Sequence, residues 1–169
     1  RNKGLIEIDL PTGIRSLGDH CFYLNNISVH NLLECVHIEQ FGESCFEFNS
    51  YSLGDIDFSV FPNLESLGAG AFTGTLDLYQ ISGCDKLIHI GEECFNYCNG
   101  GPTALPTPNI PGYVFNYWES TSGDTYAGGE ITDISYYGFD ANLTYTGYDL
   151  QIAIYAGGNP VQDALVLRQ

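Results

Sequence analysis

The sequence predicts a mainly β chain: a solenoid of about four stacked units over residues 1–100, followed by a small β-rich module or cap. Three observations predict it. A five-residue pattern recurs four times at nearly constant spacing, short alternating apolar runs precede it, and a Pro/Gly-rich segment then leads into a Tyr-rich stretch of different texture. The totals permit this reading, since 169 residues of which 44% are hydrophobic give one or two small domains with a real core.

The recurring pattern comes first because a missed repeat mis-assigns the whole fold. It reads Gly18-Asp19-His20-Cys21-Phe22, Gly42-Glu43-Ser44-Cys45-Phe46, Gly68-Ala69-Gly70-Ala71-Phe72 and Gly91-Glu92-Glu93-Cys94-Phe95, with glycines 24, 26 and 23 residues apart. An apolar residue precedes each glycine (Leu17, Phe41, Leu67, Ile90), and another stands three residues earlier (Ile14, Ile38, Leu64, Leu87). Three residues after each Phe come Asn25, Asn49, Thr75 and Cys98. Upstream, Ile6, Ile8 and Leu10, and again Ile56, Phe58 and Val60, alternate as short strands do. The second unit is irregular between His30 and Cys35.

One such unit cannot bury its own apolar face, so it is stable only in an array. The glycine suits a tight turn with unusual backbone angles. Cys or Ala beside the Phe suits a crowded inward position, the Phe column stacks in the core, and the Asn/Thr/Cys column suits bonds to neighbouring turn backbone.

The pattern resembles the BspA-like, or treponemal, leucine-rich repeats, which carry Gly-x-x-Ala-Phe followed by Cys or Asn. The likeness covers roughly residues 4–100, with Cys in place of Ala in three units. It implies a leucine-rich-repeat solenoid on a cell-surface or secreted protein that adheres to host proteins, other cells or glycans. Some relatives occur in protozoa and in viral proteins.

Residues 101–112 read as a Pro/Gly connector that ends the repeat and could close the open end of the solenoid. Residues 113–169 read as a Tyr-rich β module, with strands near 113–118, 130–137, 142–146, 149–155 and 163–167. A separate module is favoured over a distorted continuation of the solenoid. The absence of Met and the start at Arg1 suit a mature product or a fragment.

The charge limits the partners. Five Lys and Arg against 21 Asp and Glu give −16, which argues against nucleic acid, whose phosphates demand Lys and Arg. It argues equally against anionic membrane surfaces, and no apolar run is long enough for membrane insertion. Cations, basic proteins and neutral glycans remain.

Little chemistry is encoded. Cys21, Cys45 and Cys94 share a column with Ala71, so they read as small buried hydrophobes rather than disulfides. Cys94 and Cys98 have no second ligand pair nearby for zinc. His20, His30, His37 and His89 lie in no nucleophile or metal motif, and a His20–Cys21 dyad is disfavoured because chain neighbours point apart. Asp19, Glu43, Glu92 and Glu93 form an acidic stripe on one edge, solvated rather than calcium-binding. Asn26-Ile27-Ser28 and Asn142-Leu143-Thr144 match the glycosylation pattern, and no phosphate-binding glycine loop is present. No catalytic, cofactor-binding or metal residue is assigned.

The leading expectation is therefore a non-catalytic recognition or adhesion module that binds protein or glycan through the solenoid surface, near Asp9, His30, Asp57 and Asp77. A second candidate site is aromatic: Tyr113, Tyr117, Trp118, Tyr136 and Tyr137 combine rigid contact area with polar tips, and packing as core and cross-strand pairs of the β module is the equal alternative. The alternative is a structural component of a large assembly, such as a virus capsid or tail protein, with the tyrosines buried against sister chains. Thiol labelling of the unfolded, unreduced chain is expected to modify most of its six cysteines; full protection would overturn the free-thiol reading.

Overall fold

A computed structural model describes residues 7–25, 28–49, 53–100 and 103–146, and two short strands beyond them. The chain is mainly β, and among the described residues helix is limited to single 3-10 turns at Leu32–Glu34 and Phe58–Val60. In chain order the strands are β1 (Glu7–Ile8), β2 (Ser16–Leu17), β3 (Ser28–Val29), β4 (Gln40–Phe41), β5 (Gly54–Asp57), β6 (Ser66–Leu67), β7 (Leu76–Gln80) and β8 (His89–Ile90). Then come β9 (Thr103–Ala104), β10 (Tyr113–Ser120), β11 (Thr125–Tyr126), β12 (Ile131–Thr132), β13 (Phe139–Tyr145), β14 (Tyr155–Ala156) and β15 (Asn159–Pro160). No helix among the described residues is long and apolar enough to cross a membrane.

The apolar residue before each repeat glycine lies on a two-residue strand, and these strands form a parallel ladder. Leu17 pairs with Phe41, Phe41 with Leu67, and Leu67 with Ile90. The same bonds recur at each step: Gly42 N–H to the Leu17 carbonyl, Gly68 to Phe41 and Gly91 to Leu67, at 2.7–2.8 Å. A second ladder links the turns that follow. Phe22 N–H donates to the Cys45 carbonyl, Phe46 to Ala71 and Phe72 to Cys94, at 2.8–2.9 Å. Elsewhere β1 pairs with β3 and β5 with β7, both parallel.

The structure gives the repeat glycines a different reason from the one their sequence suggests. None of Gly18, Gly42, Gly68 and Gly91 has a positive φ. At Gly42, Gly68 and Gly91 the missing Cβ lets the preceding unit approach. A Cβ on Gly68 would lie 2.5 Å from the Gly42 carbonyl carbon, and one on Gly91 2.2 Å from the Ala69 nitrogen. The left-handed angles fall two and six residues later in every unit, at His20, Ser44, Gly70 and Glu93 and at Leu24, Phe48, Gly74 and Tyr97. Only the third unit carries glycine at both. A non-glycine residue costs about 1–2 kcal/mol there. The second ladder offsets it: Leu24 N–H reaches the Glu47 carbonyl, Phe48 Thr73 and Gly74 Asn96, at 2.8–2.9 Å.

The Phe column stacks through the core. Phe22, Phe46, Phe72 and Phe95 follow one another at ring separations of 5.0, 5.6 and 6.0 Å, within 20° of parallel. Each distance exceeds the ~4.8 Å spacing of paired strands, so the rings are offset, as their quadrupoles favour. Tyr79 closes the stack on Phe95 at 4.1 Å, its own ring pressed on the backbone of Gly100. The Tyr79 hydroxyl is buried without a hydrogen-bond partner among the described residues, and burial raises its pKa. Two members of the Asn/Thr/Cys column meet turn carbonyls: Thr75 donates to Phe46 at 3.1 Å and to Phe72 at 2.7 Å, and Cys98 to Phe72 at 3.2 Å.

Several local expectations need correction. The alternation Ile56, Phe58, Val60 is strand only to Asp57; there the Asp57 carboxylate accepts from Ser59 N–H at 3.0 Å and starts a 3-10 turn that still buries Phe58. The strand expected at 130–137 shrinks to β12, because Asp133 accepts from Ser135 N–H at 2.9 Å and turns the chain. Cys21 is exposed rather than buried, since only the following unit covers it among the described residues. Of the strand expected at 149–155 only Tyr155 is described, in β14, and the strand expected at 163–167, the acceptor Asn26 and the early Ile6 lie outside the described residues.

The Tyr-rich stretch does not stand off from the repeats. β13 pairs antiparallel with β8, Phe139 against Ile90, so one seven-stranded sheet runs β11-β10-β13-β8-β6-β4-β2. The Glu93 N–H, which would bond to a next unit, donates instead to the Tyr136 carbonyl at 2.9 Å. The connector is packed too: Leu105, Pro106 and Pro108 are buried, and β9 pairs with β12.

The glycine column yields a contrast. Gly68→Ala should lower stability by about 1–3 kcal/mol, because backbone, not a flexible side chain, must yield. Gly18→Ala, at the same repeat position but with nothing within 4 Å of its Cβ, should change it by no more than about 0.5 kcal/mol. Chemical denaturation of both variants checks this, and equal losses would refute the close-approach account.

Candidate binding surface

The turn after each repeat glycine decides which side chains face solvent. Residues three and four after the glycine point inward: Cys45, Phe46, Ala71, Phe72, Cys94 and Phe95 have no exposed surface. The left-handed residue six after it points out. Leu24 is half-buried, Phe48 42% exposed and Tyr97 75% exposed. Between them the column carries Gly74, and a Cβ there would lie 2.9 Å from the Phe48 ring. That gap lets the Phe48 and Tyr97 rings close over the third unit to 6.1 Å. Beside them lies a groove of about 450 Å³, lined by Leu24, Phe48, Gly74, Tyr97, Asp77 and Asn99 among others.

An acidic notch of about 220 Å³ occupies the same edge, with Glu43 and Glu47 on one side and Glu92 and Glu93 on the other. Its floor is the small third unit: Ala69, Gly70 and Thr73. The expected acidic stripe is thus grouped around a recess. Asp19 has a further task, since its carboxylate accepts from Glu43 N–H at 2.9 Å and ties the first unit to the second. Among the described residues no three His, Cys, Asp or Glu side chains converge as a metal site.

The aromatic candidates are not one site. Trp118 is fully buried and its indole N–H donates to the Pro106 carbonyl at 2.8 Å, so it is a core residue and not a surface contact. A bulge between Phe115 and Tyr117 shifts the register of β10 just before it. Tyr113 is exposed at the start of β10 and meets Tyr145 at 5.2 Å. Tyr117, half-buried, lies further along the strand. Tyr136 and Tyr137 are 59% and 43% exposed and pack edge-to-face at 5.2 Å. Their loop joins the other end of β10 through Thr121 N–H and the Gly138 carbonyl, roughly 25 Å along the strand from Tyr113. It also bonds to Glu93, on the rim of the acidic notch.

Of the strand residues expected as contacts, only Asp77 borders the groove. His30 lies 3.9 Å from Glu7, and Asp57 is engaged in its 3-10 cap. Phe48 and Tyr97 escaped the sequence reading. The signal that could have found them is an apolar residue in a column where one unit has glycine.

A parallel ladder of short units, each with an inward Phe, defines a repeat protein. The family model for the BspA type leucine rich repeat region (6 copies) matches residues 1–100, and the chain belongs to that family. Repeats of this family are typically non-catalytic and are common on surface and adhesion proteins. The family description counts 6 copies where the Gly-Phe segment occurs four times. No curated protein and no solved structure matches the chain.

The buried thiols tie this core to pH. Burial pushes Cys84 from its ordinary 9.0 up to about 12 and raises Cys94 and Cys35 as well. A raised folded-state pKa means that the native state holds protons the unfolded state has lost. This stabilisation is complete below the unfolded value and disappears as pH rises through the folded one. Unfolding free energy should therefore fall between about pH 9 and 12, by up to ~1.4 kcal/mol per pH unit for each such thiol. Denaturation midpoints measured across that window check this, and a flat profile would contradict it.

Proposed function

We propose that the chain is a non-catalytic recognition module of a surface or secreted protein, its residues 1–100 forming a leucine-rich-repeat solenoid of about four rungs. It engages a protein partner along the edge that carries Phe48, Gly74 and Tyr97 beside Glu43, Glu47, Glu92 and Glu93. One observation carries the reading: exposed aromatic rings and a carboxylate-rimmed recess lie on the same edge, both shaped by the small third unit. Apolar anchors within an acidic field suit a partner with Lys or Arg around an apolar patch. The net charge of −16 favours such a protein over a neutral glycan. Tyr136 and Tyr137 extend the surface past the last unit.

The test is a binding screen of the chain against immobilised basic proteins and neutral glycans, repeated at low and high salt. Binding should be to protein and weaken with salt. The pair Phe48→Ala and Tyr97→Ala should reduce it by about tenfold or more with thermal stability nearly unchanged. Unaltered affinity would remove this edge from the function. A second reading, a component of a large assembly meeting sister chains, is favoured by the exposed pair Tyr113 and Tyr145, in contact at 5.2 Å. Light scattering after size exclusion separates the two: recognition expects a discrete small species, assembly a particle far larger than the chain.

A further inference from the structure

We propose that Cys21 and Cys45 form a thiol–disulfide exchange site, which a small external disulfide converts into a covalent link between two adjoining units. The proposal stands on geometry and is independent of the binding surface. The two cysteines hold the same position in successive units, and their sulfur atoms lie 3.1 Å apart. The backbone holds them there: His20 N–H donates to the Glu43 carbonyl and Phe22 N–H to that of Cys45, both at 2.8 Å. About 1 Å of approach separates this contact from the ~2.05 Å of a disulfide bond.

The two thiols differ in access. Cys21 is exposed, whereas Cys45 has no exposed surface. A reagent from solvent therefore reaches Cys21 first, and Cys45 can act only from within. Their shared hydrogen bond sorts the protons in the same sense. It lowers the Cys21 pKa, against a smaller opposing effect of burial, while Cys45 is raised by that contact and by its own burial. The thiolate thus forms at the accessible sulfur. The remaining cysteines are placed otherwise. Ala71 stands between Cys45 and Cys94 in the column, the Cys98 thiol points to the Phe72 carbonyl, and that of Cys35 to the Asn31 carbonyl.

The chemistry balances with a low-molecular-weight disulfide as oxidant. The Cys21 thiolate attacks one of its sulfurs, forming a mixed disulfide and expelling one thiolate, which takes up a proton. The Cys45 thiol then gives up its proton, attacks the Cys21 sulfur and expels the second thiolate. Two protein sulfurs are oxidised and one external disulfide is reduced to two thiols. The product closes a loop in a unit that, among the described residues, has a neighbour on one side only. That is where fraying is easiest and a covalent tie most effective.

The test incubates the folded chain with glutathione disulfide, alkylates the remaining thiols after acid quench and unfolding, and maps the peptides by mass spectrometry. The expected result is a Cys21–Cys45 link, with the other four cysteines alkylated, and a thermal midpoint raised by roughly 5–10 °C. Cys45→Ala copies the third unit, where Ala71 holds the position, so it should fold. It is expected to stop at a glutathione adduct on Cys21. A Cys21 that stays fully alkylatable, a link between other cysteines, or an adduct that persists in the unmodified sequence would each overturn the proposal.

Discussion

The structure depends on how closely two backbones can approach at the repeat glycine. At Gly42, Gly68 and Gly91 the space of a side chain is taken by the backbone of the preceding unit. That approach sets the separation at which strand and turn ladders are both satisfied. The stacked Phe rings follow from it, since their offset is what the spacing leaves room for. So do the left-handed turns. Closing each unit tightly enough to bring its Phe inward requires residues such as Ser44 and Glu93 to adopt angles that their side chains disfavour.

A stack of such units has ends, and exposed ladder ends are open edges that invite pairing. At the β8 end this chain covers its edge with its own residues. β13 satisfies the last strand from the opposite direction, and the Tyr136 carbonyl takes the N–H that a further turn would have used. Trp118, Leu105, Ile134 and Phe139 carry the repeat core across into the final stretch, so the apolar interior is continuous. The connector serves this packing through the buried Leu105 and Pro106, its prolines fixing the path where a ladder would not.

Repeat identity was legible because it is written four times, and a column repeated in register averages out local noise. The inward Phe positions followed directly. What was not legible depends on contacts between units rather than on any unit alone. Nothing in a single turn tells that Gly42 yields space to its neighbour instead of bending the chain. Phe48 and Tyr97 form a pair only because Gly74 leaves space between them. For Trp118 the sequence leaves contact and core roles open, because a Tyr-rich strand carries similar residues on both faces; its burial is decided by the bulge before it and by the Pro106 carbonyl. The Asp57 and Asp133 side chains ended strands that apolar alternation alone would have prolonged.

The antiparallel strand against β8 also gives the molecule a direction of growth. The junctions between units use one set of bonds, Gly42 to Leu17, Gly68 to Phe41 and Gly91 to Leu67. A duplicated unit placed at any of these junctions meets partners it already fits. Placed after β8 it meets a strand running the wrong way. The array is therefore extensible from within and sealed at one face. A unit added at such a junction would leave the contacts of the Tyr-rich end with β8 unchanged and lengthen only the distance from that end to the far units.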